Sequence, residues 1–223
     1  MTRFMTSQMA LNWRNNLSAI SGTVILLFCI FIVVAGPSLV TQNPYDVKQW
    51  NLMDSYLPPA WMEGGRSDYL LGTDGQGRDV LAAVIYGTRI SAFIGVAATV
   101  LSCLLGTFLG LIAGYFGGWL DALIMRIADI QLSFPSMLIA LFLMSAFGTG
   151  IDKILISLTA VGWVVYARTV RGSTLGERQR EYVQAARVAG LRNGAIIWRH
   201  ILPNVMTPLI VVATVQVGTF ILI

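Results

Sequence analysis

Five apolar runs alternate with polar segments along the chain, and each is long enough for a helix to cross a bilayer, which takes roughly 17–25 apolar residues. They are Ser18 to Val40, Ser91 to Ala113, Leu120 to Phe147, Ile154 to Val170 and Asn204 to Ile223. The first contains VILLFCIFIVVAG; it offers small residues at Ala35-Gly36 but is too long for a cleaved signal, and reads as an uncleaved anchor. Proline removes a backbone donor and clashes with the preceding turn, so Pro135 predicts a kink or break near Ser133 to Ser136. Gly106 and Gly110 form a GxxxG step at which another helix can come close. The pattern predicts an all-α polytopic membrane protein with about five transmembrane helices.

The polar segments give those helices a direction. The leader, Met1 to Leu17, holds Arg3 and Arg14 and no acid. Thr41 to Arg89 is acidic, with Asp46, Asp54, Glu63, Asp68, Asp74 and Asp79 against Lys48, Arg66, Arg78 and Arg89. From Arg168 to His200 stand Arg168, Arg171, Arg178, Arg180, Arg187, Arg192 and Arg199 against only Glu177 and Glu181. Lys and Arg concentrate on the cytoplasmic side of membrane proteins, so the N-terminus and the loop 171–203 are expected inside and 41–89 outside. Four crossings separate the two basic segments, which agrees. The expected organisation is a leader and first helix over 1–40, an external loop over 41–89 and a membrane core over 90–223 that includes the loop.

Composition supports this picture and narrows the chemistry. Of 223 residues 56% are apolar and 12% charged, with a mean hydropathy of +0.70. That is about half the charge of a soluble domain, and the usage also excludes a disordered chain, a collagen and a disulfide scaffold. Cys29 and Cys103 both lie in apolar runs and read as small buried residues. One histidine, His200, leaves no multi-histidine metal site, and no Ser/His/Asp or Cys/His set can be built around it. No G-x-x-x-x-G-K-[ST] loop occurs, so a nucleotide site of that type is absent. Nothing calls for a cofactor or a nucleic-acid partner.

The loop RQREYVQAARVAGLRNGAIIWRHILPN, Arg178 to Asn204, is too polar to span yet has helical spacing. Tyr182, Ala185, Ala186 and Ala189 share one period, and Arg180, Gln184 and Arg187 another. Gly190 is expected to end a first short helix, Asn193 to cap a second, and Pro203 to mark the return to the membrane. Small residues on an exposed side suit docking into a partner's groove; an interfacial helix held by anionic headgroups fits the spacing equally well.

This segment resembles the EAA loop of the inner-membrane permeases of ABC transporters. In that loop two alanines are followed four residues later by a glycine and further on by Leu-Pro. Ala185, Ala186, Gly190, Leu202 and Pro203 hold those positions, while Gln184 stands where the family most often has glutamate. The resemblance implies that Tyr182, Gln184, Ala185, Ala186, Arg187, Gly190, His200 and Pro203 belong to the surface that docks the ATPase subunit. LLGTDGQGRDVLAAVIYGTRIS, Leu70 to Ser91, is similar to the segment before the second span in the peptide and nickel branch, second-permease type. Gly72, Thr73, Asp74, Gly77, Arg78 and Asp79, with Gly87, Arg89 and Ser91, carry that likeness. Gly72, Gly75 and Gly77 permit a tight turn, and Asp74, Arg78 and Asp79 can form a charge network that holds the outer loop; direct substrate contact is the other reading. LDALIMRIADIQLSFPSMLIA, Leu120 to Ala140, also fits the branch. There Asp121, Arg126 and Asp129 are intramembrane charges, and Arg126 and Asp129 are spaced to pair on a helix.

The resemblance, from about Leu70 to Asn204, implies one of two permease subunits in a machine with two ABC ATPase subunits and an external solute-binding protein. Such a permease sits in a prokaryotic plasma membrane and moves peptides, nickel or another small solute by alternating access. A channel would need a pore-lining polar helix and a membrane enzyme a polar constellation within the spans; neither stands out. Permeases of this branch have six spans, so the expectation is a chain cut short after the fifth.

Overall fold

A computed structural model describes residues 16–40 and 42–223. The basic stretch with Arg3 and Arg14, and Thr41, lie outside the described residues. Among those described there is no strand; the ordered elements are helices joined by turns, with one isolated bridge between Thr73 and Asp79.

Helix α1 is Leu17–Ala35, and the Asn16 side chain caps it by accepting from the Ser18 and Ala19 N–H groups at 3.1 and 3.3 Å. That satisfies donors a helix start otherwise leaves open. The helix is apolar along its length and buries none of its own residues. A helix apolar all round is built for a lipid surround. Cys29 accordingly faces outward; it and Cys103 are free thiols.

Helix α2, Val80–Phe116, is 37 residues long, about 55 Å at 1.5 Å per residue, nearly twice the ~30 Å hydrocarbon thickness. It starts well before Ser91 because Asp79 caps it, accepting from the Leu81 N–H at 2.9 Å, and nothing in LAAVIYGTRIS opposes a helix. Hydropathy marks where water begins, not where a helix does.

Helices α3, Gly118–Leu132, and α4, Ser136–Phe147, are bent by 91° across Ser133–Pro135. The expected third span is therefore two short helices meeting at nearly a right angle. Helix α5, Ile151–Glu177, continues past Val170 into the basic segment, and α6, Glu181–Val188, is the first loop helix.

The second loop helix is not a separate element. Asn193–Ile196 (α7) runs through a π-helical turn, Ile197–Ile201, straight into α8, Leu202–Leu222. Arg192, not Asn193, occupies its N-cap. A proline clashes with the carbonyl four residues back, here that of Arg199; the wider turn relieves this and lets Pro203 sit in the first turn of α8 without a break.

Residues up to Ser91 and residues from Ala92 onward pack as two units. In the second, α2 and α5 meet through glycines. A Cβ on Gly106 would lie 2.4 Å from the Trp163 carbonyl oxygen, and one on Gly110 2.6 Å from that of Ala167. The predicted close approach is therefore real, and its partner is α5. Among the described residues, four helices are long and apolar enough to cross a membrane, or five if the bent pair is one span.

Candidate functional site

Helix α6 has two unlike faces. Val183 and Ala186 are buried, in one cluster with Leu111 and Tyr115 of α2, Tyr166 and Val170 of α5, Ile196, Ile201, and Val205 and Leu209 of α8. Ala185, Ala189 and Gly190 are exposed, and Val188 is 90% exposed. Ala186 thus corrects the expectation that both alanines present themselves to a partner: one seats the helix in its own core and the other faces out. At some 100° per residue, Val183 and Ala186 fall on the packed side of α6 while Ala185, Val188 and Ala189 fall on the opposite one. Gly190 ends the helix at φ +76° with open space around its Cα, and the Leu191 N–H closes back on the Ala186 carbonyl at 3.1 Å.

The remaining loop residues hold α6 in place. The Tyr182 hydroxyl donates to Glu177 and accepts from the Asn204 amide at 3.0 Å, and that amide also donates to the His200 carbonyl at 2.7 Å. His200 therefore contributes its backbone, its ring lying tilted 6.4 Å from that of Tyr182. Partial burial first, and then the hydrogen bond and charge of Glu177, push the Tyr182 hydroxyl up to about 12, so it stays a donor at neutral pH. The Gln184 amide donates to the Arg178 carbonyl at 3.0 Å, a task a carboxylate could not perform. Arg187 lies over the Tyr115 ring at 5.7 Å, and Tyr115 donates to Asn193 Oδ1 at 2.9 Å, so Asn193 receives a side chain instead of capping a helix. Tyr182→Phe is expected to cost about 1–2 kcal/mol and to speed tryptic cleavage at Arg178 and Arg180; an unchanged digestion rate would show that the hydroxyl holds nothing.

The charges of α3 pair between helices, not along one. Asp121 receives a bidentate pair from Arg171 at 2.5 and 2.6 Å, and Asp129 pairs with Arg168. Asp129 is thus taken by α5, and Arg126 is exposed and forms no salt bridge among the described residues. Gln131 adds a third tie, donating to the Val161 carbonyl at 2.8 Å and accepting from the Trp163 indole at 3.0 Å. Sequence reasoning missed Gln131, Arg168, Arg171, Tyr115 and Asn204. A lone glutamine inside an apolar run was the one local signal; the other partners are far apart in sequence.

The GTDGQGRD segment belongs to the first unit. Arg78 closes on Asp74 at 2.7 Å, and the Gln76 and Arg78 N–H groups donate to the same carboxylate at 2.8 and 3.1 Å. Asp79 stands outside that pair as the α2 cap, with its own N–H bound to Gln42 at 2.6 Å. Thr73 donates to the Asp54 carbonyl and accepts from the Leu57 N–H at 2.9 Å. Gly72 and Gly77 have φ of +77° and +71°, and a Cβ on Gly77 would lie 1.9 Å from the Asn51 carbonyl oxygen. All six motif residues are thereby committed to the segment's own fold.

Burial raises the Asp74 carboxyl, but the hydrogen bonds and charge of Arg78 and the N–H of Gln76 outweigh it and hold it below the ordinary carboxylate value. A carboxyl depressed in the folded state stabilises above its unfolded value and loses that contribution as pH falls through the folded one. Exchange protection of residues 72–79 is expected to hold down to about pH 4 and fall below it. Asp74→Asn should flatten that profile, and an identical profile in the variant would contradict the pairing.

Residues 106–222, just over half the chain, match the family model described as "Binding-protein-dependent transport system inner membrane component". A dipeptide transport system permease protein, DppC of Haemophilus influenzae, is 39% identical over 94% of this chain and 70% of its own length. An oligopeptide transport system permease protein, OppC of Bacillus subtilis, is 37% identical over 94% and 66%. A glutathione transport system permease protein, GsiD of Pectobacterium atrosepticum, is 32% identical over 92% and 67%. The chain thus spans about two thirds of the length of these relatives.

Proposed function

Because this chain belongs to the family of binding-protein-dependent transport system inner membrane components, we propose that it is a membrane-spanning subunit of an ATP-driven importer of peptides. Its cargo is handed over by an external solute-binding protein. The names of its relatives, which speak of dipeptides, oligopeptides and glutathione, support small peptides as the cargo class. ATP hydrolysis belongs to two separate ATPase subunits, and a second permease subunit completes the path. The N-terminus and the loop 171–203 lie in the cytoplasm of a prokaryotic cell, as the arginine bias between Arg168 and His200 supports.

One observation carries the mechanism: the buried face of α6 shares a single cluster with α2, α5 and α8. A close-packed cluster transmits displacement without much compression. An ATPase subunit that grips the exposed Ala185, Val188, Ala189 and Gly190 face therefore pushes on three spanning helices at once, and their reorientation alternates access to the cargo. The pairs Asp121–Arg171 and Asp129–Arg168 make α3 follow α5. Small exposed residues allow the close backbone approach such a grip needs.

The reading is tested by reconstituting this chain with its second permease, ATPase subunits and binding protein in liposomes. Uptake of a labelled dipeptide should require ATP, and Ala185→Trp should abolish both uptake and co-purification of the ATPase subunits. ATP-independent uptake would favour a channel, and unimpaired assembly of the variant would remove α6 from the docking surface.

A further inference from the structure

A cleft of about 530 Å3 opens between the end of α2 and the loop helices, lined by residues that include Tyr115, Phe116, Arg178, Gln184, Arg187 and Asn193, and by no carboxylate. Its groups are already oriented. Arg178 donates through one nitrogen, Nη1, to the Gly114 and Tyr115 carbonyls at 3.0 and 3.3 Å, which fixes the guanidinium against the wall and leaves its other nitrogens uncommitted. Arg187 is stacked over the Tyr115 ring at 5.7 Å. Neither arginine has a salt-bridge partner among the described residues. Asn193 Oδ1 is occupied by the Tyr115 hydroxyl at 2.9 Å, so the amide nitrogen is the group it has left to offer. The nearby Asp121 carboxylate, whose charge reaches Arg178, is itself held by Arg171. Two guanidiniums without a salt bridge, with an amide donor and no carboxylate in the lining, thus form a site for an anion with several oxygens.

The position of the cleft selects the anion. Phe116 ends α2 and is 51% exposed, and Trp119, in the first turn of α3, is 72% exposed. Aromatic side chains at the ends of two apolar helices mark the membrane–water boundary. Basic clefts between helices at that depth receive lipid headgroups. We propose that this cleft binds the phosphate of an anionic phospholipid, its acyl chains running down the apolar flank beside Phe116. Phosphate is the chemistry recognised, and the membrane is its source. The site is distinct from the exposed face of α6: Arg187, expected from the family resemblance to face the ATPase, turns its guanidinium toward α2.

The test uses the assembled transporter, stripped of lipid and placed in nanodiscs of dioleoylphosphatidylcholine with a minor share of dioleoylphosphatidylglycerol. Retained lipid is measured by native mass spectrometry. Phosphatidylglycerol should be enriched over phosphatidylcholine. A headgroup-photoactivatable analogue should label the peptide containing residues 178–193. Arg187→Gln should reduce retained phosphatidylglycerol about fivefold, which corresponds to ~1 kcal/mol per basic group at the surface, and Arg187→Lys should keep most of it. Equal retention of both lipids, or labelling confined to other peptides, would overturn the proposal whether or not the variants fold. Displacement by millimolar inorganic phosphate would show a soluble ligand instead of a lipid. Loss of the ATPase subunits from Arg187→Gln with phosphatidylglycerol still bound would assign the cleft to a protein carboxylate and equally overturn it.

Discussion

Ala186→Phe is expected to lower stability by about 2–3 kcal/mol, because inserting a large side chain into a well-packed core costs roughly 1–3 kcal/mol and this position has little room to relax. Ala186 is 8% exposed, and its cluster includes Val183, Tyr166, Ile196 and Val205, each fully buried. The phenyl ring would lever α6 away from α5 and α8, so transport should fail together with thermal stability of the solubilised complex. Ala185→Phe points the same ring outward and should leave stability within about 0.5 kcal/mol, while its bulk blocks approach of the ATPase. The two substitutions thus separate seating the helix from presenting it. Equal thermal stabilities for both variants would mean that α6 is rotated from the orientation described.

Asp121→Ala is expected to destabilise the second unit by about 2 kcal/mol. Breaking a buried ion pair from one side costs some 3–5 kcal/mol, discounted here because the side chains retain 17% and 32% of their exposure. The bidentate geometry to Arg171 makes this the stronger of the two ion pairs between α3 and α5. Asp129 and Arg168 keep 56% and 46% exposure, so Asp129→Ala should cost no more than about 1 kcal/mol. Exchanging the charges, Asp121→Arg with Arg171→Asp, should recover part of the loss in thermal unfolding and in uptake. A double exchange worse than the sum of its single changes would show that the pair does not act as a unit.

The spans, the Pro135 break and the glycine contact on α2 were legible because hydropathy, proline sterics and small-residue spacing are local signals. Gly190 as a helix end was legible for the same reason, and its positive φ bears it out. Helix limits were not. Val80–Ser91 and Arg171–Glu177 are helical although they lie outside the expected spans, because a helix runs on wherever nothing opposes its backbone hydrogen bonding. The pairing of Asp129 with Arg126 followed from spacing alone, yet an arginine on a neighbouring helix won the carboxylate. The burial of Ala186 was not legible because an alanine pair tells nothing of which member faces the core until Val183 and the helices beneath it are in place.

The central claim, that α6 is the handle by which an ATPase subunit moves the spanning helices, is tested most directly by cross-linking at Val188, which is 90% exposed. Val188→Cys is introduced with Cys29 and Cys103 replaced by serine, and the assembled transporter is treated with a short bifunctional thiol reagent against single cysteines on its ATPase subunit. The account predicts a cross-link whose yield changes between the nucleotide-free and ATP-bound complex, together with protection of residue 188 from impermeant maleimide added outside intact cells. Labelling of residue 188 from outside, with no ATPase cross-link in either state, would contradict it.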